Sequence, residues 1–517
     1  MTHPSYEELR KRHRWRLPAT LNLGGEACER RPREAPAIIV TDGREITRTV
    51  SFGELRRDSN RLANVLRAHG VGPGDRVALV LPQRPETALA HIALAKLGAI
   101  AVPLSILFGP EALATRLGDA DAAAVIGERE PLDRVAELGV DVPLLDVDRG
   151  FEALLAAASE TLEPAETGPD TPALLVYTSG TTGPPKGALH GHRVLAGHLP
   201  GFGLSHDFFP QPGDVIWTPA DWAWIGGLYD VLMPGLHHGV PVVAYRGGKF
   251  DPEHAFDLIA RLGIRNVFMP ATALRLMRNH DPGTPIALRT LASGGETVGA
   301  EIAEWCSSRF GTRLNEFYGQ TEANLLVGNC AAWEARPGSM GLPYPGHDVR
   351  VLDGELCVRV EGDPVVFLGY WRNEQATAAK VRDGWLRTGD RAVQDEDGYL
   401  HFVGRDDDVI SSAGHRIGPG EIEECLVGHP AVALAAVVGV PDALRGEVVK
   451  AFVVPTPEVT PDGDLVDTLR RHVRERLAPY EVPRTISFVD ELPMTVTGKI
   501  RRAELRNRSD DETGLMR

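Results

Sequence analysis

The chain has 517 residues, of which 43% are hydrophobic and 24% charged, and it carries a formal net charge of −16. That length exceeds what one core usually serves, so two or more domains are expected. The acidic balance argues against non-specific affinity for nucleic acid or anionic membrane, yet leaves room for an anionic substrate where lysines or arginines gather in one cleft. Five cysteines (Cys28, Cys306, Cys330, Cys357, Cys425) lie far apart with no Cys-x-x-Cys pair. This suits reduced thiols in the cytoplasm and suggests neither a disulfide framework nor a zinc site. Cys306 and Cys425 fall within helix-like segments and are expected to be buried.

The first residues, through Arg16, are rich in charge and lack the apolar core of a signal peptide. No stretch reaches the ~18 consecutive apolar residues of a membrane span. From there, helix-like and strand-like segments alternate. Val77 to Leu81 reads as a buried strand, Glu86 to Leu97 as a helix, Ala99 to Leu104 as a strand, Glu111 to Leu117 as a helix and Ala122 to Ile126 as a strand. This rhythm predicts βαβ units with mainly parallel sheet. No short repeat is present, which excludes a solenoid.

An exposed connection rich in Pro, Glu, Thr and Gly (Glu160 to Thr171) leads into the strand-like Ala173-Leu174-Leu175-Val176. The most informative run follows: Tyr177-Thr178-Ser179-Gly180-Thr181-Thr182-Gly183-Pro184-Pro185-Lys186-Gly187. Glycines let backbone approach an anion, successive N–H groups can form an anion-binding concavity, and hydroxyls and a lysine add donors and charge. A Walker loop is excluded, because Gly187 follows Lys186 where a Ser or Thr would be needed for Mg²⁺. Further on, Asp251 is a predicted N-cap and Pro252 a first helical residue. That helix runs to about Leu262, and the strand Arg265 to Met269 follows it.

A change of character falls near Gly404, after the strand Tyr399 to Val403, at Arg405-Asp406-Asp407-Asp408. Beyond it the pattern is α+β: a helix over Gly420 to Val427, strands over Leu434 to Val440 and Val448 to Val454, and an amphipathic helix over Asp464 to Leu477. The expected architecture is thus α/β, with a large N-terminal domain of βαβ layers (1–403) and a small α+β C-terminal domain (404–517).

Beside the first loop stand Tyr318-Gly319-Gln320-Thr321-Glu322, Arg387-Thr388-Gly389-Asp390, Gly404 to Asp408, Gly414-His415-Arg416-Ile417-Gly418 and Pro493 to Lys499. In this order the islands resemble the acyl-adenylate-forming (AMP-binding) superfamily over nearly the whole chain, and most of all its short- and medium-chain acyl-CoA synthetases. The resemblance implies ATP, Mg²⁺, CoA and a small carboxylic acid. The carboxylate would attack the α-phosphate of ATP, so catalysis would be largely charge neutralisation and positioning. Thr178, Ser179, Gly180, Thr181, Thr182, Gly183 and Lys186 would cradle the β- and γ-phosphates. Thr321 would contact the α-phosphate, and Glu322 would bind Mg²⁺. Asp390 and Arg405 would hold the ribose. Gly295, Glu296 and Thr297 would line one side of the adenine. Glu316, Phe317 and Tyr318, with Gly319 and Gln320 following, would form the other, an aromatic ring stacking on the base.

By the same resemblance Lys499 is the catalytic lysine, carried by the small domain to the carboxylate and α-phosphate. Several family members are acetylated at this lysine, which makes a lysine acetyltransferase a candidate partner acting on Lys499. Asp407 matches the family's hinge. Rotation about it would withdraw Lys499 and bring Ser412 to Gly418 toward the nucleotide, with Gly414, His415 and Arg416 serving CoA. Relatives range from monomers to larger assemblies, which leaves homo-oligomerisation open.

Acetyl-CoA synthetases cap the acid pocket with a tryptophan where this chain has Gly319, and narrow it with a valine and a threonine where it has Gly294 and Gly226. The remaining lining would be Trp222, Trp224, Ile225 and Leu228. Acetate would leave such a pocket partly empty, which predicts an acid larger than propionate: medium-chain, branched or aromatic. The alternative is that these glycines ease backbone packing and other side chains fill the gap. Two rival functions remain: delivery of the acyl group to a carrier-protein thiol or amine, and a nucleotide-binding sensor without catalysis.

Overall fold

In the computed structural model the described residues are 3–178, 185–248, 250–336, 338–405, 408–412, 415–442, 445–457, 459–495 and 499–511. Four sheets organise them. A seven-stranded sheet is parallel through its centre (Ile100–Pro103, Arg76–Val80, Ala124–Gly127, Leu144–Asp146). A nine-stranded sheet is parallel from Pro36–Thr41 through Val242–Tyr245, Ile216–Trp217, Asn266–Phe268 and Thr290–Gly294 to Leu314–Gln320, and gains antiparallel strands at both edges. Apolar side chains of both sheets meet in one core, Leu79, Leu174 and Val176 from the first, Ile38, Val242 and Ala292 from the second.

The helix Pro85–Leu97 lies in that core. It is buried all round from Thr87 to Leu97 and mostly apolar, as suits a helix sandwiched between two sheets, and Ala88, Ile92, Ala93 and Leu94 are fully buried. Pro85 starts it, and Gly98 ends it in the left-handed region at φ +73°, which a residue with a β-carbon adopts only at a cost. Outer helices cover the far faces: Pro252–Leu262, Ala271–Asn279 and Ala300–Phe310 on the nine-stranded sheet, Pro110–Ala120 and Arg129–Glu137 on the other. Asp251 caps its helix as expected, accepting from His254 N.

A third sheet departs from the expected parallel pattern. Strands Val349–Leu352, Glu355–Arg359, Val381–Arg382, Trp385–Gln394 and Leu400–Arg405 pair antiparallel throughout. Asp390 stands opposite Arg405 in its ladder. The smaller C-terminal domain is built on the fourth sheet, with Val432–Asp442 and Gly446–Pro455 antiparallel and Thr485–Phe488 parallel at one side. The helices Pro419–Val427 and Gly463–Arg474 contribute Ile422, Leu426, Leu469 and Val473 to its core. All five cysteines are free; Cys306 is buried, but Cys425 is only partly so, a departure from expectation.

Several histidines are buried. Burial pushes His91, His190 and His192 down to about 4, and His198, His206 and His238 down to about 3. Each ring stays neutral in the fold, whereas the unfolded chain takes up a proton below ~6.5. Each therefore contributes stability that is complete above ~6.5 and falls by up to about 1.4 kcal/mol per pH unit below it. Thermal melts should show a melting temperature that declines steadily from pH 7 to pH 5; a flat profile over that range would contradict the burial of neutral rings.

Candidate functional site

A cavity of about 1330 Å³ opens at the carboxyl ends of the central strands of the nine-stranded sheet and extends to the C-terminal domain. This is where open α/β sheets place ligands, because the strands end there in loops. The loop Tyr177–Gly187 is reached from the strand Pro172–Thr178 and left through the antiparallel strand Lys186–Gly191, with Thr178 opposite Lys186. Thr178 donates from its hydroxyl to the Lys186 carbonyl at 3.3 Å. Ser179, Gly180, Thr181, Thr182 and Gly183 lie outside the described residues.

Two antiparallel strands, Leu314–Gln320 and Ala323–Gly328, are joined by the turn Thr321–Glu322. The Thr321 carbonyl accepts from His190 Nε2 at 2.8 Å. A carbonyl only accepts, so that nitrogen carries the proton. The nearly buried Glu322 carboxylate accepts from the Tyr370 hydroxyl, and Lys186 Nζ stands 5.5 Å from the centre of the same ring. Tyr370 thereby ties Lys186 to the Thr321–Glu322 turn.

Along the strand, side chains alternate between faces. Tyr318 donates to Asp390 Oδ2 at 2.5 Å, and Gln320 Nε2 donates to the same oxygen at 2.6 Å and to the Thr388 carbonyl at 2.9 Å. Lys380 Nζ donates to the Thr388 carbonyl at 2.9 Å, and Arg405 Nε stands 4.0 Å from Asp390 Oδ1. Burial raises the Asp390 carboxyl above the usual range in spite of these donors. Phe317 faces the other way and packs on Phe268, ring centres 5.5 Å apart. Glu316 accepts from Val298 N at 2.9 Å, and burial pushes its carboxyl up to about 7. Glu296 is held by Thr272 at 3.3 Å and Arg275 at 3.5 Å, and Arg275 also donates to the Thr297 carbonyl at 2.8 Å.

Gly295 has φ +89°, and a β-carbon there would lie 4.0 Å from Lys499 Nζ. Lys499 comes from the C-terminal domain, where Thr495 N donates to the Lys499 carbonyl at 2.7 Å and Lys499 N donates to Thr495 Oγ1 at 3.1 Å. Nearby, Glu424 Oε1 accepts from Ala300 N at 2.8 Å. The helix Ala300–Phe310 has no cap from its own side chains, so a carboxylate of the other domain serves its N-terminus. Glu423 accepts from Arg502 at 2.7 Å and from Val437 N at 2.7 Å, and Asp408 accepts from Arg506 at 2.5 Å. Asp407 and Gly414 lie outside the described residues. His415 and Arg416 are described by their backbone alone, in the strand His415–Ile417.

The expected acid pocket needs correction. Trp224, Ile225 and Gly226 line the cavity, but Trp222 and Leu228 do not; both are fully buried in the core between the sheets. Nor do the glycines leave open space. A β-carbon at Gly319 would sit 2.4 Å from Asn324 Oδ1 and 2.5 Å from Leu325 N, and one at Gly294 would sit 2.6 Å from the Phe317 ring. At Gly226 it would meet Phe268 at 3.2 Å. The packing alternative holds at 294 and 319. His190, Tyr370 and Lys380 escaped sequence reasoning; Gly369-Tyr370 and a lone lysine on a helix give no local signal.

The family model described as AMP-binding enzyme matches residues 25–371, and that of the AMP-binding enzyme C-terminal domain matches residues 421–499. Human mitochondrial acyl-coenzyme A synthetase ACSM4 is 36% identical over 91% of this chain and 86% of its own. The 4-hydroxybutyrate–CoA ligase 1 of Metallosphaera sedula is 34% identical over 90% of this chain and 85% of its own. Among solved structures, an anthranilate CoA ligase, AuaEII, in complex with anthranoyl-AMP, superposes with a TM-score of 0.87 at 28% identity, covering 95% of this chain and 98% of that one. The chain belongs to the AMP-binding enzymes and is an acid–thiol ligase of the AMP-forming acyl-CoA synthetase type, with ATP and CoA as substrates. Among the described residues no helix is long and apolar enough to cross a membrane.

The Glu424 cap offers a direct test of how the two domains dock. An exposed cap of this kind is worth about 1 kcal/mol, roughly fivefold in the docked population. Glu424→Ala should speed tryptic cleavage between Arg405 and Arg416 by a similar factor, and cleavage at the wild-type rate would remove Glu424 from the docking surface.

Proposed function

We propose that the chain activates a carboxylic acid larger than propionate, medium-chain, branched or aromatic, to its acyl-adenylate, and then passes the acyl group to CoA. The observation that carries this reading is the approach of Lys499 to Gly295 in a cleft shared with Thr321, Glu322, Asp390 and Lys186. A carboxylate oxygen would bond to the α-phosphorus as the bond to pyrophosphate breaks. Two anions meet in that step, and a cation between them offsets their repulsion more strongly in a cleft than in water. Thr321 would sit at the α-phosphate, and Thr178, Lys186 and the loop between them at the leaving phosphates. The Asp390 oxygens, oriented by Tyr318 and Gln320, would accept from the ribose hydroxyls.

Glu322 would hold Mg²⁺ together with the phosphates. A single carboxylate suits that ion, which is commonly bound by one or two carboxylates plus substrate oxygens, and Tyr370 fixes the orientation of this one. The ion would supply charge neutralisation on the phosphates. We read residues 1–403 as the large domain, 404–517 as the small one, and Asp407 as the hinge between them. With Lys499 in the cleft, the arrangement suits adenylate formation; rotation would withdraw it and admit the CoA thiol past Gly414, His415 and Arg416. Lys499 is exposed, which would leave it open to acetylation. The larger acid is supported by the apolar Trp224, Ile225, Phe268 and Phe317 around the cleft, and by relatives whose names carry 4-hydroxybutyrate and anthranilate.

Two measurements follow. Lys499→Ala should lower acid-dependent exchange of pyrophosphate into ATP at least ~100-fold, the usual loss for one transition-state donor, while thioester formation from supplied acyl-adenylate stays within a few-fold; undiminished exchange would sink the reading. In a panel of acetate, butyrate, isobutyrate, hexanoate, octanoate and benzoate, acetate should have the lowest kcat/KM. Acetate as best substrate would overturn the assignment of acid size.

A further inference from the structure

Among the carboxyl groups lining the cleft, Asp230 has no role in the adenylate chemistry proposed above. Asp230 lies in a single π-helical turn, Leu228–Leu232, inserted between two α-helical stretches. Such insertions re-aim a side chain and are frequent at functional sites. The residue is 3% exposed, and what it exposes lies on the cavity wall. Oδ1 accepts from Asn324 Nδ2 at 2.7 Å. Oδ2 lies 3.6 Å from where a β-carbon of Gly226 would be, a point that the Phe268 ring approaches to 3.2 Å.

A row of contacts joins this carboxyl to the reacting end of the site. Lys499 approaches Gly295; Gly294 beside it abuts Phe317; Phe317 packs on Phe268; Phe268 abuts Gly226; and Gly226 faces Asp230. Phe268, Phe317 and the glycines beside them thus lie between Asp230 and the lysine along this row. A carboxyl buried without a cation is costly, and an apolar residue of similar volume would be better there for stability alone. Burial raises its pKa well above the usual carboxylate range, opposed by the hydrogen bond from Asn324. With Oδ1 taken by Asn324, a proton on Oδ2 would let that one oxygen both donate and accept, the pairing that a hydroxyl group complements.

We propose that Asp230 reads the far end of the acid, so that the preferred substrates are carboxylic acids bearing a hydroxyl group distal to the carboxylate. This rests on the acyl-CoA synthetase reading and narrows its substrate class. An alkyl or unsubstituted aryl acid of the same length leaves the buried carboxyl without its partner, which is the situation in which discrimination becomes large.

The test is a set of matched pairs assayed by AMP release with ATP, Mg²⁺ and CoA: butyrate and 4-hydroxybutyrate, hexanoate and 6-hydroxyhexanoate, benzoate and 3-hydroxybenzoate. In the wild-type enzyme at least one hydroxy acid should exceed its partner in kcat/KM by tenfold or more. Asp230→Leu should abolish or reverse that ratio while the plain acid is retained or improved, and Asp230→Asn, which keeps a donor and an acceptor, should lose less of it. Thermal melts establish that each variant folds, and the wild-type ratio stands as a test without them. Preference for the plain acid in every pair, or an equal loss on both members in Asp230→Leu, would overturn the proposal and leave the synthetase reading intact. AMP release with no acid at all would instead overturn the synthetase reading on which it rests.

Discussion

A cation from one domain resting against the bare backbone of another is the contact on which the rest of the site depends. Lys499 stands at Gly295, where a β-carbon would lie 3.9 Å from its Cε, and the Gly295 backbone at φ +89° disfavours any larger residue there. The reach is set by the C-terminal domain as a whole: the hydrogen bonds between Thr495 and Lys499 fix the lysine locally, and Glu424 on the N-terminus of the helix Ala300–Phe310 fixes the domain. These contacts are few and partly exposed. A lysine that must leave before a thiol can enter would need such a weakly held position, and a large apolar interface would forbid it.

The nucleotide side of the cleft is built differently. Tyr318, Gln320, Thr388, Lys380 and Asp390 form a closed set of hydrogen bonds between the nine-stranded sheet and the antiparallel sheet beside it. Two donors from the strand Leu314–Gln320 converge on one buried carboxylate oxygen, so its position is over-determined. Tyr370 does the same for Glu322, and its ring also meets Lys186. The large domain thus presents fixed acceptors and a fixed turn to the lysine brought by the C-terminal domain.

Elsewhere the cleft wall is largely apolar. Phe268, Phe317, Trp224 and Ile225 line it, and Asp230 hydrogen-bonded to Asn324 stands among them. The glycines at 294 and 319 do not enlarge this space. One accommodates the Phe317 ring and the other the backbone of the neighbouring strand. A glycine in the sequence looks the same whether its missing side chain leaves a void or a neighbour has already filled it, and only the packed neighbour decides which.

The chain by itself determined its layered α/β class, because buried parallel strands and the helices that cover them leave distinct apolar patterns at Arg76–Val80, Pro85–Leu97 and Ile100–Pro103. It also determined the helix start at Asp251-Pro252, which local capping chemistry dictates, and the ordered islands that mark the family. The tertiary structure alone decided the antiparallel sheet over residues 349–405, the burial of Trp222 away from the cleft, the partnership of Tyr370 with Glu322, and the aim of Asp230. The reason is range. Capping and periodicity act over a few residues and can be read along the chain, whereas the Tyr370–Glu322 pair spans 48 residues and the Asn324–Asp230 pair spans 94. Such contacts arise only when separate elements have packed.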